Sequence, residues 1–418
     1  MKNIIKRILI VLGYTGIIIG LFSCSKKEEE KTAEKLTKVS DVYVCAYDCG
    51  SVSSNGGNAW NLIEFNSKAY LLSYISADVG SELYSYDGSS LSLVKDIYTL
   101  NDSSSPMYLT TFDSKLYFSA ADYNYGRELW SYDGTSDPSK VTDLNSGTSG
   151  SYPGDLTVFN SKLYFSADEE TYGDELYVYD GSSVSIASDI LGGAGDSYPR
   201  NFYVFNNKLY FSADNDTKGR ELFVFDGTSV SMVADIDASS TYRDSDPFGF
   251  AEYNSKLYFV ADNTTYGKEV FVYDGSTVSV IDINLNEKNA NPSELTVYND
   301  KLYFSADDGT YGNELWVSDG TNASKVKDIN SGTASSSPRS LMIYNSKLYF
   351  FALDGSNTNL YSYDGSSSSV VESDLAPPYF QDADYNNIYT KPIVFNNKLL
   401  FVASKNSYDY SLYSYDGN

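Results

Sequence analysis

The sequence predicts an all-β fold, an eight-bladed β-propeller of four-stranded antiparallel blades, and three observations support it. An Asp-Gly dipeptide recurs along the chain, a lysine that opens an apolar segment recurs in step with it, and no helical periodicity interrupts them. Tandem units of about 45 residues with several short strand patterns each are typical of propeller blades. The dipeptides begin at Asp87, Asp133, Asp180, Asp226, Asp274, Asp319, Asp364 and Asp416, and the lysines are Lys68, Lys115, Lys162, Lys208, Lys256, Lys301, Lys347 and Lys398.

The third unit shows how four strands fit into one repeat. Its apolar segments predict strands over residues 156–159, 162–167, 175–179 and 183–188. Asn160-Ser161 and Asp180-Gly181 are short polar turns, and residues of these types accept the positive φ that a tight hairpin requires. A longer loop joins the second strand to the third. The middle strands are almost continuously apolar, as expected when both faces of a sheet are covered.

The two ends of the chain predict how the ring closes. The eighth unit stops directly after Asp416-Gly417, so its fourth strand is missing. Residues 38–42 (KVSDV) resemble residues 140–144 (KVTDL), which lie at the fourth-strand position of the second unit. We therefore expect the N-terminal strand to complete the last blade and to remove an exposed sheet edge.

The N-terminal region predicts export and anchoring. Three basic residues, with no acidic residue among residues 1–23, precede an apolar run that is too short for a comfortable membrane span and is typical of a signal peptide. The run ends in Leu21-Phe22-Ser23-Cys24, which resembles a bacterial lipobox. The sequence thus predicts a signal peptide over 1–23, a lipidated Cys24 with a charged tether over 24–36, and a single propeller over 37–418. The alternative is an ordinary signal peptide with an incidental cysteine.

The anchor predicts where the protein resides. Acyl chains on Cys24 would hold the protein in the membrane, so we expect it in the bacterial cell envelope, anchored to the outer membrane. The sequence does not decide between display toward the periplasm and display outward from the cell. Cys45 and Cys49 remain as a candidate disulfide pair. An extended chain would hold them about 13 Å apart, so a bridge requires a turn between them.

Charge and composition exclude several functions. The chain has 30 Lys and Arg against 56 Asp and Glu, and it has no histidine. Its net charge of −26 argues against nucleic acid as a partner, because phosphates would be repelled. Without histidine, the chain cannot form a catalytic triad that requires imidazole, and it lacks the commonest zinc ligand.

Loop lengths predict which end of the ring carries function. The tight turns share one end of every blade, whereas the second-to-third loops and the inter-blade linkers emerge at the other, here named the long-loop face. Irregular loops on a rigid scaffold are the usual seat of recognition. The candidate ligand-binding residues are Asp168, Tyr172, Asp214, Asp216, Tyr266, Asp307 and Tyr311. The loop tyrosines could stack on sugar rings or wedge neighbouring blades together.

Three series of acidic residues converge at the long-loop face. They are an Asp that ends the second strand, a Glu that opens the third and an Asp that ends the fourth, as in Asp168, Glu175 and Asp189. One interpretation is that these carboxylates accept backbone N–H groups and cap the blades. The other is weak calcium binding, for which Asp214, Asp216 and Glu221 are the candidates, because hard oxygen ligands suit that ion. No other cofactor is predicted.

Two octapeptides carry a resemblance to a known family. Residues 128–135 (ELWSYDGT) and 314–321 (ELWVSDGT) resemble the bacterial ELWxxDGT-repeat proteins, which are secreted or displayed at the cell surface. Looser copies begin at Glu82, Glu175, Glu221 and Glu269, whereas Asn359 and Ser411 replace the Glu in the last two units. The resemblance implies a surface repeat protein and transfers no catalytic residue.

Together these features predict a membrane-anchored surface lipoprotein that acts as a binding or adhesion propeller. We expect a monomer without enzymatic activity that binds a glycan or a protein on its long-loop face. One alternative is a non-catalytic scaffold of an envelope complex. Another is a glycan-active enzyme that uses two carboxylates, although near-equivalent blades offer no distinctive pair.

Overall fold

The structure is a computed structural model that describes residues 36–41, 62–74, 79–99, 102–239, 243–285, 289–381, 387–389, 391–405 and 410–417. The predicted signal peptide and most of the tether lie outside these residues, as do Cys24, Cys45 and Cys49. Lipidation, the disulfide and the location of the protein therefore stay predictions. Within the described residues, no helix is long and apolar enough to cross a membrane.

Eight four-stranded antiparallel sheets form the ring, which confirms the eight-bladed propeller. Blade 1 consists of Ile63–Phe65, Lys68–Tyr74, Ser81–Tyr86 and Leu91–Lys95. Blade 2 consists of Met107–Phe112, Lys115–Asp122, Gly126–Tyr132 and Ser139–Lys140, and blade 3 of Gly154–Phe159, Lys162–Glu169, Gly173–Tyr179 and Val184–Ser188. Blade 4 consists of Arg200–Phe205, Lys208–Asn215, Gly219–Phe225 and Val230–Ala234.

The second half of the ring repeats the same order of strands. Blade 5 consists of Phe248–Tyr253, Lys256–Ala261, Glu269–Tyr273 and Val278–Ile281, and blade 6 of Ser293–Tyr298, Lys301–Asp307, Asn313–Ser318 and Ala323–Lys327. Blade 7 consists of Arg339–Tyr344, Lys347–Asp354, Asn357–Tyr363 and Ser368–Glu372. A small hairpin of Tyr379–Gln381 and Asn387–Tyr389 precedes blade 8, whose own strands are Ile393–Phe395, Lys398–Ser404 and Tyr410–Tyr415.

The N-terminal strand completes blade 8, as predicted. Thr37–Asp41 pairs antiparallel with Tyr410–Tyr415, and Lys38 lies opposite Tyr413. In blade 2, Lys140 lies opposite Trp130 at the corresponding position of the motif. The borrowed strand thus adopts the register of an ordinary fourth strand, so the similarity of the two segments reflects a shared place in the sheet.

Local chemistry explains why the tight turns form where they do. Asn160 and Ser161 both have positive φ, at 48° and 57°, as a tight two-residue hairpin turn requires. At the other turn, the Asp180 carboxylate accepts the N–H groups of Ser182 and Ser183 at 2.8 and 2.9 Å. Gly181 supplies a φ of 99° there, which a residue with a Cβ would adopt only with strain.

The hydrophobic core lies between neighbouring blades. Leu163 and Phe165 of blade 3 are fully buried and pack in one cluster with Phe112 and Tyr117 of blade 2. The rings of Phe112 and Tyr179 meet edge to face across the same junction, with centroids 6.3 Å apart. First strands of successive blades contact one another, so they form the inner rim of the ring. Each blade therefore depends on its neighbours for burial.

Candidate functional site

The motif glutamate of each blade holds the linker that leads to the next blade. Glu128 of blade 2 is fully buried, and its carboxylate accepts the N–H of Ser151 at 3.0 Å and the hydroxyl of Ser151 at 2.6 Å. Ser151 lies just before the first strand of blade 3, and its N–H also reaches the carbonyl of Arg127 at 2.9 Å. The fully buried glutamates of this series are Glu82, Glu128, Glu175, Glu221, Glu269 and Glu314. They are named the joint glutamates below.

Burial raises the pKa of the joint glutamates. The pKa of Glu128 rises to about 7 because desolvation outweighs the hydrogen bonds from Ser151, and the nearby Asp143 carboxylate adds to the rise. The pKa of Glu82, Glu175 and Glu269 also rises to about 7, and that of Glu221 to about 8, with burial as the largest cause each time. The pKa of Glu314 is raised for the same reason.

The aspartates that end the second strands have different partners from blade to blade. Asp168 lies opposite Asp174 across the strand pair, so the expected crowding of acidic groups is present in blade 3. Asp214 instead pairs with the guanidinium of Arg220 at 3.0 Å. Asp307 accepts the N–H of Gly309 at 2.7 Å and closes its own loop. These contacts are those of the capping interpretation.

The calcium candidates do not share one set of contacts. Asp214 faces Arg220, whereas the Glu221 carboxylate accepts the N–H of Ile236 at 2.9 Å and the hydroxyl of Ser245 at 2.7 Å. Asp216 lies in an exposed loop. Among the described residues, no group of three or more Asp, Glu or Cys is placed to hold a metal ion. Calcium binding stays a prediction.

Two of the matching loop tyrosines pack within their own blades. The Lys140 ammonium lies 2.9 Å from the centroid of the Tyr125 ring in blade 2, and that of Lys325 lies 3.0 Å from the Tyr311 ring in blade 6. Both lysines belong to the fourth strand of the same blade, so each of these ring contacts lies within one blade. Tyr266 is exposed and Tyr172 is half-buried.

The first strands of blades 2 to 7 each begin with a bulge at the inner rim. Tyr108, Asp155 and Asn201 occupy matching positions in blades 2, 3 and 4 and have φ values of 57°, 53° and 62°. The pairing register of the first strand with the second shifts across these positions. The Asp155 carboxylate accepts the N–H of Asn201 at 3.1 Å, so the bulge connects blade 3 to blade 4. A bulge of this kind re-aims side chains at the edge of a sheet.

Buried charges gather at the rim of blades 2 to 4. Arg127, Asp155, Asp174 and Arg200 are each at least nine-tenths buried. Burial raises the pKa of Asp174 to about 7, the carboxylates of its neighbours raise it further, and Arg200 opposes the rise. Burial also raises the pKa of Tyr108 well above its ordinary value, and the charges of Asp155, Arg127 and Arg200 act on it. Two arginines and two aspartates from three blades thus lie close enough to act on Tyr108.

Two exposed tyrosines flank this cluster, and the sequence reasoning missed them. Tyr152 and Tyr198 stand directly before the prolines that lead into blades 3 and 4, with 44% and 38% of their surface exposed. The Tyr198 hydroxyl donates to Asp196 at 2.8 Å, and the Arg220 guanidinium donates to the Tyr198 carbonyl at 2.8 Å. The tripeptide Ser-Tyr-Pro, present twice before a first strand, is the signal that could have revealed them. We name Tyr152, Tyr198 and the buried charges the blade 2–4 rim.

Comparisons with known proteins find similar folds. No family model matches the sequence, and no curated protein matches it. A solved prolyl endopeptidase aligns with 12% identity and a TM-score of 0.49, over 85% of this chain and 55% of that one. A puromycin-hydrolysing peptidase of Mycobacterium tuberculosis aligns with 9% identity and a TM-score of 0.49, over 87% and 61%. The propeller domain of the Trilobed protease from Pyrococcus furiosus aligns with 11% identity and a TM-score of 0.43, over 75% and 98%.

These matches correct two predictions. The solved structures are peptidases and a protease propeller, which contradicts the prediction of a binding or adhesion lipoprotein, with its scaffold alternative, and the prediction of a protein without enzymatic activity. Both are withdrawn. At this level of identity the likeness is one of fold, so no residue role is carried over. The chain spans little more than half the length of the endopeptidase and the puromycin-hydrolysing peptidase.

Proposed function

We propose that the ring is the propeller of a peptide-processing enzyme system and that it holds peptides at the blade 2–4 rim. The observation that carries this proposal is the combination of buried arginines and carboxylates with two exposed tyrosine rings on adjacent blades. Arg127, Arg200 and Arg220 stand near the start of first or third strands, where the rigid sheets fix their positions. Sites built on strands hold side chains more accurately than sites built on loops.

The chemistry of the rim suits a peptide. The buried guanidiniums fix the backbone near the two rings, since Arg220 donates to the Tyr198 carbonyl at 2.8 Å and Arg127 also donates to backbone carbonyls. Tyr152 and Tyr198 offer flat, amphipathic surfaces against which peptide side chains can pack at low entropic cost. Among the described junctions with this proline, a tyrosine stands before it only at blades 3 and 4. The residues at this position before blades 2, 5, 6 and 7 are Ser105, Asp246, Asn291 and Ser337.

Hydrolysis by a serine triad would need groups from outside this sequence. The chain has no histidine, so a Ser-His-Asp arrangement cannot form within it. We propose that the ring selects and positions peptides and that a separate domain or subunit supplies the hydrolytic groups. What we propose for this chain is therefore the positioning of peptides, and the hydrolysis itself is assigned to that separate domain or subunit.

Peptide binding by the full chain tests the proposal. The probes are fluorescent tetrapeptides with free termini, together with the same peptides acetylated and amidated, titrated by fluorescence anisotropy. We expect Tyr198→Ala to weaken binding at least tenfold, because it removes the exposed ring. Tyr266→Ala is the matched control, since this ring is also 38% exposed but lies in blade 5 outside the rim, and it should change affinity less than twofold. Absence of binding at millimolar peptide, or equal losses in both variants, would refute the proposal.

A further inference from the structure

The joint glutamates tie each linker to a blade at two points. One point is the N–H of the residue directly after the fourth-strand aspartate, and the other is the residue that precedes the first strand of the next blade. The first set of bonds comes from Ile97 at 3.1 Å, Ile190 at 2.8 Å, Ile236 at 2.9 Å, Ile283 at 3.1 Å and Ile329 at 2.8 Å. In blades 1, 2, 3, 4 and 6 a serine hydroxyl supplies the second, from Ser104, Ser151, Ser197, Ser245 and Ser336.

At the joint between blades 2 and 3, the nearby cations are bonded to groups other than Glu128. The Glu128 carboxylate has N–H and O–H donors as partners and lies near a second carboxylate. Asp143 faces it from the linker and is itself paired with Lys140 at 2.9 Å. Arg127 precedes it on the same strand, but that guanidinium donates to the carbonyls of Ser104 and Ser105. From blade 3, Asp168 approaches through its backbone N–H, which donates to the Ser151 carbonyl.

The joint between blades 6 and 7 repeats this arrangement. Asp328 of the linker pairs with Lys325 at 3.7 Å, as Asp143 pairs with Lys140 in the other joint. In blade 7, burial raises the pKa of Tyr361, and Glu314 lies close enough to add to the rise. Arg339 of the same blade is directed at the Thr358 hydroxyl, at 3.2 Å. The carboxylate of Glu314 is therefore held by the N–H and O–H groups of its linker, as Glu128 is.

We propose that the joint glutamates act as proton-operated joints, which hold the linkers of the long-loop face tightly when protonated and loosen them when ionised. An ionised carboxylate that is buried without a paired cation carries a desolvation cost that its hydrogen bonds only partly offset. The proton removes that cost and leaves a hydroxyl that can donate to the serine oxygen. Because the same group recurs in six joints, the ring takes up several protons over one narrow range of pH.

The raised pKa values place this range near neutrality. Ionisation begins where the pKa is about 7 and extends to about 8 at Glu221. An unperturbed carboxyl of this type titrates near 4.5, so the folded ring keeps protons that the unfolded chain has already lost. The linkers attached to these joints carry the exposed Tyr152 and Tyr198, so loosening would reach the face on which the rim lies.

Blade 7 shows what a joint looks like without a titratable group. Asn359 replaces the glutamate, and its side-chain oxygen accepts the N–H of Asp374 at 3.1 Å. Leu375 takes the place of the linker serine, and its N–H donates to the Thr358 carbonyl at 2.7 Å, as that of Ser151 does to Arg127. Leu375 is fully buried. Blade 7 thus lacks both the carboxyl and the serine, whereas blade 5 keeps Glu269 and has Ala290 in place of the serine.

Amide hydrogen exchange on the full chain at pH 5.5 and pH 8.5, corrected for intrinsic rates, tests the proposal. We expect protection of Ser151 and Ile329 to fall at least tenfold at the higher pH relative to Leu375 in the same sample. In Glu128→Gln the change at Ser151 should disappear while that at Ile329 persists. Glu252→Gln, at an exposed position of blade 5, is the control and should alter neither. Equal behaviour of Ser151 and Leu375 would overturn the proposal.

A direct titration keeps the test decisive even if the glutamine variant folds poorly. Carboxyl-labelled glutamate in the unmodified chain reports each side chain by carbon NMR. A set of glutamate signals that titrate with midpoints near pH 7, separate from an exposed set near 4.5, is the expected result. If all glutamate signals titrate below pH 5.5, the joints stay ionised at neutral pH and the proposal fails.

Discussion

Blade 3 and blade 7 have the same four strands but differ in two places. One is the joint residue that holds the linker to the next blade, and the other is the residue before the proline that leads into the blade. Blade 3 has Glu175 at its joint and Tyr152 at its rim, whereas blade 7 has Asn359 and Ser337 at the corresponding positions. In both blades the second strand is buried on both faces and the turns have the same geometry. The strands and tight turns thus carry the fold, whereas the joints and the rim carry what distinguishes one blade from another.

The difference also separates two ways of holding a linker. Blade 3 uses a buried carboxyl with a serine, Ser197, which makes the joint sensitive to pH. Blade 7 uses an amide with a buried leucine, which makes it depend on packing. A molecule with both types in one ring offers its own internal controls.

The largest expected effect is removal of the closing strand. A chain that begins after residue 41 would leave the edge of Tyr410–Tyr415 unpaired and would expose the side of the core against which Leu36 and Val39 pack. We expect loss of the cooperative thermal transition, measured by circular dichroism, together with aggregation, because an open strand edge pairs with other chains.

A synthetic peptide is the control for that deletion. A peptide of residues 34–44 should restore the transition, whereas a peptide with the same composition in scrambled order should not. Unchanged unfolding of the shortened chain would show that ring closure does not depend on this strand.

A core substitution of equal size in the two blades is expected to have equal effects. Phe165 and Phe350 occupy the same position in the second strands of blades 3 and 7, and both are fully buried. Truncation of either to alanine should lower the free energy of unfolding by about 3–5 kcal/mol, measured by urea titration. Costs that differ by more than about 2 kcal/mol would show that the blades do not share one packing arrangement.

The cost of a substitution is expected to depend on pH at the joint of Glu128 and to be independent of pH at the joint of blade 7. Leu375→Ala creates a cavity and should cost about 2–4 kcal/mol at both pH 5.5 and pH 8.5. Ser151→Ala removes one donor to Glu128 and should cost about 1.5 kcal/mol at pH 8.5, where that carboxyl is ionised, and less at pH 5.5. Urea titrations at the two pH values measure both costs. A pH-independent cost at Ser151 would contradict the distinction between the joints.

The sequence predicts the strands, the turns and the closure because each depends on local chemistry. The hairpin at Asn160-Ser161 requires only that its two residues accept positive φ. The closing strand can be recognised because residues 38–42 resemble residues 140–144. The partner of Glu128 could not be predicted, since Ser151 lies 23 residues away across an irregular linker. The contact of Tyr311 with Lys325 could not be predicted either, because it depends on a side-chain direction that periodicity does not give.

The blade 2–4 rim was missed for a different reason. The length of the second-to-third loops marks them as candidate binding loops, whereas Tyr152 and Tyr198 lie at the ends of the linkers. The bulge at Asp155 and Asn201, which arranges the buried charges, breaks the alternation by which strand residues are assigned to faces. At a bulge, the alternation of residues along a strand no longer predicts which face a side chain occupies.

The free energy of unfolding as a function of pH tests the central claim most directly. The joint glutamates have pKa values raised above 4.5, so the folded ring binds more protons than the unfolded chain between about pH 5 and 8. Stability should be highest near pH 5 and fall as the pH rises to 8.5. Asp180 and Asp226, whose pKa is lowered to about 2 by hydrogen bonds at their turns, should lose their contribution only in stronger acid. Stability that stays constant or increases from pH 5.5 to 8.5 would contradict the account.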